Sequence, residues 1–178
     1  AVADHCVIGV AWGVTASTVV RHLQPRALVG CTVVQMNGGT SQWSSGIPYV
    51  GEILRSVGDA FSSPVVYFPV PAFFDYAETK NAMWRERSVQ NVIGLQRRID
   101  VAVFGVGCLN ARVPSHAYTA GYMDDDDKHA LAADGVVGDV ATVLLREDGS
   151  WKDIAFNDRA SGLTPTAAWI GGAALVLY

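Results

Sequence analysis

Four short segments carry the residue types best suited to chemistry. The first, Trp12-Gly13-Val14-Thr15-Ala16-Ser17, closes an apolar run, and a helical pattern starts at Thr15. Free N–H groups and the positive end of a helix dipole at such a corner can seat an anion, and Gly13 would let a ligand approach the backbone closely. The same residues equally suit a tight turn before an N-capped helix. The second segment, Gln35-Met36-Asn37-Gly38-Gly39-Thr40-Ser41, has two glycines and short polar side chains. It fits an anion-binding nest or a plain loop. The third runs from Pro69 through aromatic residues to Lys80, whose neighbours Ala82, Met83 and Trp84 are apolar. A lysine is by default a solvated charge. In a dry pocket its amine would deprotonate more readily and could condense with a carbonyl as a Schiff base. The fourth links Gly105-Val106-Gly107 to Asn110 and Arg112, with Gly135-Val136-Val137-Gly138-Asp139 further on. Arg112 could clamp a phosphate bidentately, and Asp139 could accept hydrogen bonds from sugar hydroxyls.

No catalytic set stands out beside these. His5, His22, His116 and His129 are scattered, and neither a GxSxG elbow nor an HExxH pair occurs. The first corner is neither a GxxxxGKS phosphate loop nor a GxGxxG fingerprint. The rim suits polyols and phosphates without an evident acid–base pair. A reader of a small molecule is therefore expected rather than a catalyst, with no catalytic residue, no metal and no cofactor.

The elements that must position these segments alternate. Residues 5–11, 27–36, 64–70 and 100–106 are continuous apolar runs of strand length, as in strands buried on both faces. Between them, residues 15–23, 47–61 and 87–99 read as helices. In the last, Val89, Val92, Ile93, Gln96 and Ile99 approximate one helical stripe. This order predicts an α/β fold: a Rossmann-like, mostly parallel sheet with helices on both faces. In such sheets ligands gather beyond the carboxyl ends of the strands, where the four segments fall. Later, residues 124–133 (DDDDKHALAA) read as a short helix with acids in its first turn, complementing the dipole. Residues 139–146 and 151–156 read as a hairpin around 147–150, and 173–178 as a final strand.

At 178 residues the chain is long enough to bury one core unaided. Half its residues are apolar and 17% are charged, a globular composition. A net charge of −4 argues against this chain gripping a nucleic acid by itself. No apolar stretch reaches the roughly 20 residues that span a bilayer, and no basic leader precedes the first strand. Cys6, Cys31 and Cys108 lack metal-binding spacing and read as buried small hydrophobes in a reducing, cytosolic setting.

Taken in order, "GVAWGVTASTV", "VQMNGGTS", "FPVPAFFDYAETKNAMWRERSVQNVIGLQRRIDVAVFGVG", "DGVVGDVATVLLREDG" and "FNDRASGLT" resemble the effector-binding domain of SorC-type bacterial sugar-responsive transcriptional regulators. The resemblance implies a fold similar to sugar-phosphate isomerases and CoA transferases, occupying residues 1–178. It implies a cytoplasmic homo-oligomer that binds a phosphorylated sugar and contacts DNA only through a helix-turn-helix domain, which residues 1–178 lack. By position, Gly13, Val14 and Thr15 would cradle phosphate, with Asn37, Gly38 and Gly39 as a second polar wall. Asp139 would contact the sugar, and Arg112 the phosphate. The stretch "FFDYAETKNAMWRER" looks most like the deoxyribonucleoside-responsive branch. There a lysine near position 80 forms a Schiff base with open-chain deoxyribose 5-phosphate. An isomerase or aldolase-like enzyme on the same scaffold is the alternative. One departure is the tail: Ile170-Gly171-Gly172 stands where the family has a glycine turn followed by a basic residue, which is missing here.

Overall fold

The computed structural model describes residues 2–41, 44, 47–110, 115–164 and 173–177. Arg112 and the 170–172 turn lie outside the described residues. Each apolar run yields a strand, and the first two are the ones most fully covered. β1 (Val7–Val10) is buried at every position, and β2 (Thr32–Gln35) at all but its first. They are followed by β3 (Val65–Val66) and β4 (Val101–Cys108). After them come β5 (Val136–Val140), β6 (Val143–Arg146) and β7 (Ala173–Leu177). The seven strands form one sheet in the order β3-β2-β1-β4-β5-β6, with β7 pairing β4. β1, β2, β3, β4 and β7 pair in parallel, whereas β5 and β6 are antiparallel additions. The expected mostly parallel α/β sheet is present.

Helices cover both faces. α1 (Val14–Val20) and α2 (Ile47–Phe61) follow β1 and β2. Val20 of α1 and Val50, Ile53, Leu54 and Val57 of α2 join Ile8, Val10 and Val33 in one core. α3 (Ala77–Met83) buries none of its residues. α4 (Arg87–Gln96) packs on the opposite face, where Val89, Val92 and Ile93 meet Val34, Phe68 and Phe104 in a second core. Burying such a side chain fully is worth about 1.5–3 kcal/mol, so each layer is held mainly by these contacts. The expected stripe on α4 is realised, although the helix stops at Gln96. Ile99 is buried beyond it and packs where Gly9 leaves β1 bare: a Cβ on Gly9 would lie 2.5 Å from Ile99 Cδ1.

The short α5 (His116–Thr119) and then α6 (Asp125–Ala133) precede β5. In α6 the aspartate run does more than offset the dipole. Asp124 caps the helix by accepting from the Asp127 amide, and Asp127 reciprocates. Asp127 also pairs with Arg159, so the run is tied to the fold.

The hairpin forms earlier than the sequence led us to expect. β5 turns into β6 through Ala141 and Thr142, with φ of 48° and 68°. Two positive-φ residues are what a tight hairpin turn needs, and Gly or Asn normally supplies them. Here Asp139 Oδ2 accepts from the Thr142 amide at 3.0 Å and stabilises the turn from within. The Gly149 turn also exists, but residues 155–158 beyond it form a 3-10 helix instead of a second strand. Cys6 and Cys31 are buried as expected, with their sulfurs 3.2 Å apart, and burial raises the Cys6 thiol to about 11. Cys108 is exposed. β4 continues to that residue, and its last positions alternate outward instead of being covered.

Candidate functional site

The strand order fixes where a ligand can sit. From β1 the chain moves outward to β2 and β3, then returns to β4 on the other side of β1. The connections therefore diverge above β1 and β4, which leaves a crevice at the carboxyl ends of those strands. A cavity of about 300 Å³ opens there. Trp12 to Ala16 form one wall and Gly105 to Cys108 another, while Asn37, Ser115, His116 and Asp139 complete it.

The first wall is the corner before α1. Gly13 occupies the N-cap position without a side-chain cap, and its carbonyl accepts the first helical bond from Ser17 at 2.8 Å. The amides of Val14, Thr15 and Ala16 thus precede the helical ladder, as at every helix start. A Cβ on Gly13 would meet nothing within 4 Å, so the protein's own atoms do not plug this corner.

Asp139 forms the opposite side. It lies on β5, opposite Gly107 of β4, and is 6% exposed. Oδ2 is engaged by Thr142, while Oδ1 is buried with no hydrogen bond of normal geometry, although the Tyr118 and Ser115 hydroxyls lie close enough to act on the carboxyl. Gly107 makes room for that oxygen: a Cβ there would lie 2.1 Å from Oδ1 and 2.8 Å from Ser115 Oγ. Burial raises the Asp139 pKa above the ordinary carboxylate range, while the Thr142 amide and the Tyr118 and Ser115 hydroxyls pull the other way. Burial, together with the Asp139 charge, drives the Tyr118 pKa well above the usual phenol value. Burial lowers the His116 pKa and so favours its neutral imidazole.

Asn37 supplies the third contribution. It is 1% exposed, and both polar atoms of its side chain are buried without partners. Its neighbours behave differently from an anion nest. The Gly38 amide donates to Ser161 Oγ at 2.9 Å, and the Gly39 amide to the Val70 carbonyl at 3.1 Å. Their carbonyls are also held, by Trp12 Nε1–H at 2.7 Å and by the Tyr122 hydroxyl at 3.1 Å. The two rings stack with centroids 5.2 Å apart. Gly38 is small because a Cβ would lie 2.2 Å from the Pro71 carbonyl oxygen. The second segment therefore offers the cavity one side chain rather than a set of free amides.

Five of the residues singled out in the sequence, Gly13, Val14, Thr15, Asn37 and Asp139, line one cavity. Gly38 and Gly39 support it from behind. Lys80 lies elsewhere, in a depression of about 210 Å³ with Asn157, Asp158 and Trp151, and the two hollows share no lining residue. Its amine donates to the Asn157 carbonyl at 3.3 Å and sits 5.7 Å from the Trp84 ring centre. Burial lowers its pKa, and Asp158 partly restores it. The sequence assigned Trp12 and His116 no role in the site, and it did not point to Ser115. Only the tryptophan carried a signal, by standing directly before the glycine corner. Among the described residues no His, Cys, Asp and Glu cluster could hold a metal, and no helix is long and apolar enough to cross a membrane.

The open sheet and its switch-point cavity define a small-molecule-binding α/β domain. The family described as "Putative sugar-binding domain" matches residues 1–167, and the chain belongs to that family. The resemblance to SorC-type regulators holds over most of the chain. The deoxyribonucleoside regulator of Bacillus subtilis (strain 168) is 30% identical over 162 residues, covering 91% of this chain and 50% of the regulator. A solved domain of "a possible sugar-binding transcriptional regulator" from Arthrobacter aurescens TC1 superposes with a TM-score of 0.93 at 46% identity, covering 99% of this chain and 68% of that one. Full-length sorbitol operon regulator SorC from Klebsiella pneumoniae shares the fold at 17% identity, with a TM-score of 0.79 over 93% of this chain and 52% of that one. The chain spans about half the length of the curated relatives it matches.

Proposed function

We propose that this chain is the sensing module of a bacterial transcriptional regulator and that it binds a phosphorylated sugar in the cavity between Gly13 and Asp139. The observation that carries this reading is the pair of buried, unpartnered groups, the Asn37 amide and Asp139 Oδ1, in one cavity of about 300 Å³. A buried polar atom without a partner costs about 1–3 kcal/mol. A guest bearing hydroxyls supplies those partners. The α1 corner provides the amides for an anionic end, and the volume lies at the small end of ligand sites.

In this reading the chain contacts DNA through a helix-turn-helix domain outside residues 1–178, works in the cytoplasm and assembles with copies of itself. Its ligand switches the regulator by binding one quaternary arrangement better than another. Melting scans against deoxyribose 5-phosphate, ribose 5-phosphate and their unphosphorylated sugars test the binding. At a hundredfold excess over Kd, a ligand selective for the folded state adds about 2.7 kcal/mol. If no sugar phosphate moves the transition, the reading fails.

The covalent form of the proposal involves Lys80 and deoxyribose 5-phosphate. Its lowered pKa leaves more free amine to add to the open-chain aldehyde, giving an imine and releasing one water. The aldehyde carbon would then lie in the Lys80 depression, away from Asn37 and Asp139. Borohydride reduction followed by peptide mass spectrometry should find the adduct on Lys80. Tight binding without that adduct leaves the sensor and removes the imine. One observation favours a second reading, an isomerase: His116 and Asp139 face the same cavity. Sustained conversion of ribose 5-phosphate, which unlike its 2-deoxy counterpart carries the 2-hydroxyl that isomerisation needs, would establish it if lost in His116→Ala.

A further inference from the structure

Gln35 is the last residue of β2, 4% exposed, and stands at the head of the second segment, where the sequence assigned it no role of its own. Its side chain joins two segments. Nε2 donates to the Asn37 carbonyl at 2.6 Å, and Oε1 accepts from the Phe68 amide at 2.9 Å. Its own carbonyl accepts from Gln96 Nε2 at 2.8 Å, so a buried residue of α4 braces it from beneath. The amide makes both side-chain bonds because it donates at one end and accepts at the other. The same 37–38 peptide is held at its N–H as well, and the next peptide at its carbonyl. The Gly38 amide is fixed by Ser161, whose hydroxyl donates to the Ala72 carbonyl at 2.9 Å, and the Gly38 carbonyl is fixed by Trp12. All these bonds converge on the backbone around Asn37, and none reaches its side chain, which is buried and unpartnered at the cavity.

We infer that Gln35 and Trp12 are positioning residues, which clamp the carbonyls of the 37–38 and 38–39 peptides and so aim the Asn37 amide at the ligand. The inference rests on the cavity being the sugar-phosphate site. A clamped backbone beneath a free side chain is preorganised: the ligand need not order the loop, and only the amide is left to satisfy. Buried amide networks of this kind confer geometry as long as every other member has its partner.

A double-mutant cycle tests the coupling, with calorimetric titration of deoxyribose 5-phosphate and ribose 5-phosphate into the parent chain, Asn37→Ala, Gln35→Met and the double variant. Asn37→Ala should weaken binding about tenfold or more, the size of one lost hydrogen bond to a desolvated group. Gln35→Met, close in shape but unable to bridge, should weaken it comparably. The double variant should bind no worse than Asn37→Ala alone, because the clamp acts only through that side chain. A purely structural Gln35 would lower the melting temperature in both backgrounds without this non-additivity. If Gln35→Met binds like the parent, or its loss multiplies with that of Asn37→Ala, the positioning role is refuted while the site stands. If Asn37→Ala binds like the parent, or the parent binds neither sugar phosphate, the site itself is refuted and the inference with it. Should Gln35→Met fail to fold, Ser161→Ala carries the same cycle, because it frees the Gly38 amide and Ser161 does not line the cavity.

Discussion

Two hollows of the molecule are similar in kind and opposite in condition. The first, above β1 and β4, has Asp139 Oδ1 and the Asn37 amide buried without partners. The second, beside α3, holds Lys80, whose amine is already engaged by the Asn157 carbonyl and the face of Trp84. Both keep an ionisable group against its preference: burial raises the acid and lowers the base. The difference lies in what remains unsatisfied. In the first hollow the fold is complete and the hydrogen bonding is not, which is the condition a guest relieves. In the second the charged group already has protein partners, and a guest must displace them.

Filling the first hollow from within is the sharpest way to break this comparison. Gly107→Ala places a methyl 2.1 Å from Asp139 Oδ1. The carboxyl must swing away, taking its bond to the hairpin turn with it. Overpacking of this sort costs about 1–3 kcal/mol, and at this chain length each kcal/mol lowers Tm by roughly 2–4 °C. Sugar-phosphate affinity should fall with it, by about a hundredfold if both the Asp139 contact and cavity volume are lost. Gly13→Ala is the matched control, since its methyl meets nothing and its extended backbone, φ 163°, tolerates any residue. It should leave stability within about 0.5 kcal/mol of the parent. Calorimetry on the two variants separates the cases. Parental affinity in Gly107→Ala would remove Asp139 from the site.

Asp139→Asn has a smaller effect with a defined sign. The folded-state pKa of Asp139 lies above the unfolded value of 3.8. Between those two values the folded chain binds more protons than the unfolded one, so stability falls as pH rises through the interval. Relative to Asp139→Asn, the parent should therefore lose stability from about pH 4 upward until Asp139 is fully ionised, and then run parallel. Paired melting curves from pH 4 to 8 measure this. Curves that never diverge would mean that burial does not penalise the carboxylate. The ligand should narrow the gap, because its hydroxyls supply the partner that Oδ1 lacks.

The contrast between the hollows also explains how far the sequence could be read. The runs at β1, β2 and β4 and the stripe on α4 are encoded locally, in apolar spacing, and so they were legible. From the parallel order alone, the corner after β1 and the loop after β2 fall at one end of the sheet. That is enough to bring Gly13 and Asn37 together. Two things were not encoded locally. The hairpin turn at Ala141 and Thr142 lacks the glycine or asparagine that usually marks it, because Asp139 stabilises it through a side-chain bond. The placement of Lys80 depends on the 3-10 helix at Ala155–Asp158, which brings Asn157 and Asp158 to it from far along the chain. No spacing rule reports such a contact. Gln35 and Ser161 were invisible for the same reason, since their role is set by what their side chains reach across the fold.

The remaining prediction concerns the second hollow and is the smallest in effect. Lys80 is half-buried, so solvent screens much of its charge, but its folded-state pKa still lies below 10.5. Between that lowered value and 10.5 the unfolded chain binds more protons than the folded one, and stability rises with pH there, the reverse of Asp139. Lys80→Met should abolish that alkaline rise. The parent's stability should climb relative to the variant's as pH increases from neutrality toward 10.5, and the difference should then level off. The same variant measures the independence of the two hollows. With no lining residue in common, Lys80→Met should leave non-covalent sugar-phosphate affinity at the first hollow within about twofold, as expected for separated sites. A large loss of affinity at neutral pH, with the alkaline slope also removed, would instead mean that a single ligand reaches both hollows and that the Lys80 amine takes part in holding it.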